Sequence, residues 1–316
     1  MPLTTPLSIV LGFLLPSFFI HIRPFTPWLF GLMTFSGALK LRAKELGATV
    51  RSPVPILLFF ACTHVLMPVI AMFASSLVFI DQDVVTGFVL LFSAPTAVSG
   101  FIWISIFKGD MALCLTLILL DTLLAPIVVP GSISILMGTK VAMDGSVIAI
   151  SLIFMIVVPT ILGVSINEAS KGKIPARICF VFDPIAKFCL MSVIAANAAV
   201  IAPTVKFNDP LIWKIAALVV VLTFLGFFLI KLFTMFGKCS FPKDIAMIIP
   251  SGLRNNSAVV TIAVTFFPEA AVLPSLTCIL FQQSIAAIMG RFFTRKNRTS
   301  AEAEKLPAHA AKLPAD

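Results

Sequence analysis

Ten apolar runs follow one another through this chain, most of them near the 20 or so residues that a helix needs to cross a hydrocarbon core of about 30 Å. They cover approximately 5–20, 27–41, 54–78, 84–107, 110–137, 144–166, 177–202, 211–236, 243–266 and 270–291, parted by charges and turn residues. Backbone polar groups have no water to bond in lipid, so runs of this length must be helices. The expected fold is an all-α polytopic membrane protein with ten transmembrane helices. Charged residues make up 12% of the chain, against about a quarter in a soluble domain, and the mean hydropathy is +1.09. A water-facing globule is excluded.

The net charge of +9 does not indicate nucleic acid, because the basic residues stand singly between apolar runs and form no tract. Most of them, from Lys40, Arg42, Lys44 and Arg51 to Arg291, Arg295, Lys296 and Arg298, fall on one side of the predicted spans. Only Arg23, Lys140 and Lys206 fall on the other, which puts both termini in the cytoplasm and the chain in the inner membrane. The run Leu7 to Ile20 lacks a basic leader and is followed by His21-Ile22-Arg23-Pro24, so it reads as a retained helix, not a signal peptide. The chain divides into residues 1–137 and 144–291 around a short outer loop, 138–143, with 292–316 as a disordered cytoplasmic tail. An odd number of spans per half turns the halves over, giving two five-helix inverted repeats.

Two of the runs are interrupted. In the fourth, Ser93-Ala94-Pro95-Thr96-Ala97-Val98-Ser99-Gly100 separates two apolar stretches, and in the ninth the interruption is Pro250-Ser251-Gly252-Leu253-Arg254-Asn255-Asn256-Ser257. Proline removes a backbone donor and glycine weakens helix, so both segments should unwind near their middles. Each holds the fourth place in its half, which brings the breaks face to face near the midplane, where helix termini can meet an anion and freed carbonyls a cation. An arginine at such depth costs about 2.5–3.5 kcal/mol, so Arg254 needs partners. Thr96, Ser99, Arg254, Asn255 and Asn256 are therefore the candidate substrate and charge residues. Asn197 in the seventh span and Gln282 and Gln283 in the tenth join them as membrane polar groups that should face protein. His64 in the third span is either a proton relay or a hydrogen-bonded packing residue. The pair Asp183 and Lys187 reads as an ordinary helix-surface pair.

Catalytic signatures such as HExxH, GxSxG or a P-loop do not occur, so no enzyme is expected. The six cysteines have no CxxC spacing and lie mostly in apolar runs, where they act as small hydrophobes; no metal or other cofactor is expected.

The landmarks Pro27-Trp28-Leu29-Phe30-Gly31-Leu32-Met33, Met67-Pro68, Ala94-Pro95, Lys108-Gly109-Asp110-Met111-Ala112-Leu113, Leu123-Leu124-Ala125-Pro126 and Gly252-Leu253-Arg254-Asn255-Asn256-Ser257 resemble, in this order, those of the bile acid:sodium symporter family. The resemblance runs from about Pro24 to Arg291. It implies a panel of helices 1, 2, 6 and 7, a core of helices 3–5 and 8–10, and crossing of helices 4 and 9 at their unwound centres. It also implies organic anion transport with sodium bound behind the crossover. The family's sodium ligands, matched one by one, fall on Gly100-Phe101, on Cys114 with Ile118, on Pro250, and on Thr63 and Arg254. Asn255 matches an asparagine that lines the substrate cavity, and Gln282-Gln283 matches a polar pair in the tenth helix.

Sodium takes several oxygen ligands, and a guanidinium has no acceptor to offer, so these substitutions argue against sodium coupling by that geometry. Cys114, Ile118 and Asp121 share a helix face, which places Asp121 beside the substituted positions. Arg254 is then a fixed positive charge in place of the ion, with Asp121 as its directly paired counter-charge or a protonatable coupling site; Thr63 and His64 complete the ion-coupling group. A purely structural ion pair is the alternative for these two. The function expected is secondary active transport, by alternating access, of a small organic anion, a carboxylate or a bile-acid-like molecule. Sodium symport through other ligands is the runner-up, and an anion channel or membrane receptor is the reading from a different class.

Overall fold

The computed structural model describes residues 4–41, 53–138, 144–203, 208–236 and 239–310. The helices are α1 Thr4–Leu14, α2 Pro16–Ala38, α3 Pro53–Val78, α4 Gln82–Ser93, α5 Gly100–Ile106, α6 Met111–Met137, α7 Gly145–Ala169, α8 Lys173–Ile201, α9 Pro210–Phe236, α10 Phe241–Ser251, α11 Asn256–Phe266 and α12 Leu273–Ala310. Among the described residues, six helices are long and apolar enough to span a membrane, or up to seven if the bent pair α1–α2 counts as one. Helices α4 and α11 are apolar but shorter, as segments of interrupted runs must be.

Local chemistry sets several of the starts. Asp81, Asp110 and Asp144 each accept a backbone N–H of the following turn and so cap α4, α6 and α7. The first two apolar runs part elsewhere than expected. The chain bends by 97° at Leu15, where Pro16 opens a new helix, while His21-Ile22-Arg23-Pro24 is absorbed in a 3-10 stretch within α2. Arg23, expected in an outer loop, donates to the carbonyl of Val264 near the end of α11. The tail expected to be disordered continues α12 to Ala310, through an Ala-, Glu- and Lys-containing stretch of good helix formers. The expected loop charges Arg42, Lys44, Arg51, Lys140, Lys206 and Lys238, like the outer loop from residue 139 to 143, lie outside the described residues, as do the side chains of Lys296 and Arg298.

Helices α1, α2, α7 and α8 pack on one another, and α3–α6 pack with α9–α12; the two groups touch where α7 lies along α6 and where α8 and α2 meet α11. Asp183 of α8 pairs with Lys40 at 2.7 Å, tying α8 to the end of α2, so the expected surface pair with Lys187 is replaced by a bond between helices. Lys231 of α9 pairs with Asp244 of α10 at 2.6 Å. Gly87 lets α4 lie directly against the 3-10 turn Glu269–Val272, because a Cβ there would collide with the Ala271 carbonyl, a backbone atom that cannot swing away. Gly87→Leu is expected to cost about 1–3 kcal/mol, read as a lowered Tm of the detergent-solubilised protein. An unchanged Tm would refute this close approach.

Candidate functional site

The two interruptions meet. Helix α4 stops at Ser93 and α5 resumes at Gly100; α10 stops at Ser251 and α11 resumes at Asn256, a narrower break than the sequence implied because Pro250 is accommodated in the last turn of α10. Both breaks lose helical hydrogen bonds and recover them from each other. Thr96 and Arg254 form an antiparallel bridge, the Ala97 N–H donates to the Leu253 carbonyl at 2.9 Å, and the Asn255 N–H donates to the Pro95 carbonyl at 2.8 Å. Backbone that would be costly in lipid is thus satisfied inside protein.

The bridging residues are held from behind by side chains of α6 and α12. Asp121 of α6, 1% exposed, accepts from the Thr96 N–H at 2.8 Å and the Thr96 hydroxyl at 2.6 Å through Oδ2. Its Oδ1 lies 2.7 Å from Nε2 of His64 on α3, whose ring stacks on Phe60 at 5.4 Å. The corresponding support on the other side is Gln282 of α12. Its Oε1 accepts from the Arg254 N–H at 2.9 Å and its Nε2 donates to the Arg254 carbonyl at 3.0 Å.

Arg254 is 2% exposed, and its side chain reaches away from the bridge. Nη1 donates to the Ala94 carbonyl at 3.2 Å and Nη2 to the Thr63 carbonyl at 3.1 Å. Each acceptor has lost its helical donor for a different reason. Ala94 ends α4 where the helix stops, so its carbonyl has no later turn to bond. Thr63 lies in a π-helical turn, Ala61–Leu66, in which the Met67 N–H donates to the Cys62 carbonyl five residues back. The next such bond would join residue 68 to Thr63, and Pro68 has no N–H. The Thr63 hydroxyl is spent on the Phe59 carbonyl at 2.7 Å, so its carbonyl alone serves the site.

A direct Arg254–Asp121 pair, expected from the sequence, is not the arrangement found. Asp121 makes its close side-chain contact with His64, and the guanidinium takes carbonyls instead; the charges of Asp121 and Arg254 act on each other through space within one network. The reason is reach. Thr96 lies across from Arg254 in the bridge and occupies the carboxylate.

The remaining candidates divide into two places. Asn255 caps α11 by accepting from the Ala258 N–H, and Asn256 donates to Gln282 at 3.2 Å. Asn197 of α8 donates to Thr261 of α11 at 3.4 Å, across the boundary between the two helix groups. The amide oxygens of Asn197 and Asn256 are buried without a protein partner. On the α5 side, Gln283 donates to the Ser99 hydroxyl at 3.3 Å and accepts from the Trp103 indole at 2.9 Å. Thr261, Trp103 and the Ala94 carbonyl were not singled out from the sequence. The sequence trace of the Ala94 carbonyl was the predicted break at Pro95, and that of the Thr63 carbonyl was Pro68, five residues on. Among the described residues, no group of three or more His, Cys, Asp or Glu is placed to hold a metal ion.

Residues 27–207 match the Sodium Bile acid symporter family. The chain is 36% identical over 296 residues to the uncharacterized protein YbaS of Bacillus subtilis, covering 93% of this chain and 97% of that one. It is 22% identical over 290 residues to the uncharacterized sodium-dependent transporter YocS of the same bacterium, covering 91% and 88%. A shorter match, 31% over 146 residues, covers 45% of this chain and 34% of the probable sodium/metabolite cotransporter BASS4, chloroplastic, of Oryza sativa subsp. japonica.

Proposed function

Because the chain belongs to the sodium bile acid symporter family, a family of membrane transporters, we propose that it is a secondary active carrier of a small organic anion that works by alternating access. The observation that carries this reading is the crossover itself: two interrupted helices bonded to each other through Thr96 and Arg254, with a buried unit charge on each side of the bridge. Such opposed breaks mark an enclosed binding site, whereas a channel needs a continuous lined pore. Ten helices in two inverted repeats, 1–137 and 144–291, follow from the same reading. The packing supports it, since contacts of α1 with α8, α3 with α4, and α4 with α12 have counterparts in α7 with α2, α9 with α10, and α10 with α6. The panel is then α1, α2, α7 and α8, which slides against the rest, in an inner membrane with both termini cytoplasmic.

The substrate lies between panel and core, where Asn197 and Asn256 keep amide oxygens unpartnered, with Thr96, Ser99, Asn255 and Gln283 nearer the crossover. Arg254 contributes positive potential more than a direct grip, since both terminal nitrogens are engaged. A carboxylate entering this region gains from that charge.

Sodium, which the family's name implies, does not fit the residues at the crossover. The freed carbonyls of Ala94 and Thr63 are taken by a guanidinium, and the positions matched to the family's side-chain ligands carry glycine, phenylalanine, cysteine, isoleucine, proline, Arg254 itself and Thr63, whose hydroxyl is bonded to Phe59. Uptake of radiolabelled carboxylates into proteoliposomes, with imposed sodium or proton gradients, tests the carrier reading. Saturable uptake is the expected result; flux that rises linearly with concentration would replace the carrier by a channel, and binding without flux would leave a receptor. Asn197→Ala is expected to raise KM about 3–10-fold, the worth of one hydrogen bond. An unchanged KM would remove Asn197 from the substrate site.

A further inference from the structure

We propose that Arg254 is a tethered cation: its guanidinium permanently fills a seat for a free one made by carbonyls of α3 and of the break after α4, so that this site binds no sodium. The inference rests on the carrier reading and concerns its ion coupling. Carriers with broken helices coordinate cations through carbonyls released where the helix unwinds. Here one such carbonyl, Ala94 at the break after α4, and a second from a π turn inside the continuous helix α3, Thr63, converge on one guanidinium at 3.2 and 3.1 Å. Thr63 loses its donor to Pro68, and Ala94 loses its donor to the end of α4.

The occupant cannot leave. Its peptide is clamped on both sides by Gln282, at 2.9 and 3.0 Å, and bridged to Thr96 in front. Guanidinium keeps its proton in proteins, so the charge persists at any physiological pH. Asp121 answers it through space, which leaves the crossover near neutrality without a mobile ion. A sodium ion entering the same seat would have to displace both Nη donors and then sit against a fixed positive charge. The positive charge that a sodium-coupled carrier gains and loses in each cycle is built in here.

Ion binding to the purified chain tests this without any transported substrate, so failure of the anion reading and failure of this one are separable. Equilibrium binding of 22Na+ and Tm in sodium chloride against choline chloride are measured on the full-length protein and on two variants. The unaltered protein is expected to bind no sodium saturably and to melt at the same temperature in both salts. Arg254→Gln removes the charge and places an amide oxygen beside the two carbonyls. It is expected to bind about one ion per chain and to gain about 2–4 °C in sodium. Arg254→Lys keeps the charge and is expected to remain indifferent to sodium. Saturable sodium binding by the unaltered protein or by Arg254→Lys overturns the proposal, as does a folded Arg254→Gln protein that ignores sodium. Should Arg254→Gln not fold, the other two proteins decide.

Discussion

Asp121→Leu is expected to destabilise the protein by about 3–5 kcal/mol, the cost of removing one partner from a buried charged network. Among the described residues the carboxylate is the only acceptor given to the Thr96 N–H and hydroxyl; it contacts His64 at 2.7 Å and balances Arg254 through space. All of these groups are inside the protein, so none can turn to water when the carboxylate goes. At about 2–4 °C per kcal/mol for a chain of this order of size, Tm should fall by roughly 10 °C. Asp121→Asn keeps an oxygen for Thr96 and is expected to lose less, about 1–3 kcal/mol. Combining Asp121→Leu with His64→Leu should recover part of the loss, because the imidazole is then no longer left facing an apolar group. An Asp121→Leu protein that melts with the unaltered one would mean that the carboxylate carries little of the crossover.

Asp121 also illustrates what could be read from the sequence. Its position on the face of Cys114 and Ile118, opposite a predicted break, placed it in the network without coordinates, since helical spacing is local information. Both interruptions were legible for the same reason: proline and glycine act on their own turn. The partner of Asp121 was not legible. Whether a buried carboxylate pairs with an arginine or with a histidine depends on angstrom-scale placement of α3 against α6, which is a tertiary quantity. The reach of Arg254 was hidden in the same way, because the carbonyl it finds on α3 is exposed by a proline whose effect falls five residues upstream in a π turn. The bend at Leu15 was misplaced for a local reason. Pro16 and the His21-Ile22-Arg23-Pro24 stretch both disfavour regular helix, but only Pro16 opens a new one, while the polar stretch tightens to 3-10 without a break.

The bridge has a near two-fold pattern in which Asp121 supports Thr96 and Gln282 supports Arg254, and this sets the second large effect. Gln282→Leu is expected to cost about 2–5 kcal/mol. It strips the Arg254 N–H of its acceptor and the Arg254 carbonyl of one of two donors, and it frees the Asn256 amide. Gln283→Ala, one residue on, removes hydrogen bonds to Ser99 and Trp103 at a partly buried site and is expected to cost about 1 kcal/mol. The contrast separates a clamp on the break from a general need for polarity in α12. Amide hydrogen exchange gives the local readout, since Gln282→Leu should speed exchange at Arg254 and Asn255 while Gln283→Ala leaves both protected. Equal effects of the two substitutions would remove the clamp. The geometry predicts inequality because an amide side chain satisfies both a donor and an acceptor of one peptide group, so Gln282 does for Arg254 what a neighbouring strand would do. The tethered charge is only as fixed as that peptide, and sodium indifference should therefore weaken in Gln282→Leu even though Arg254 itself is intact.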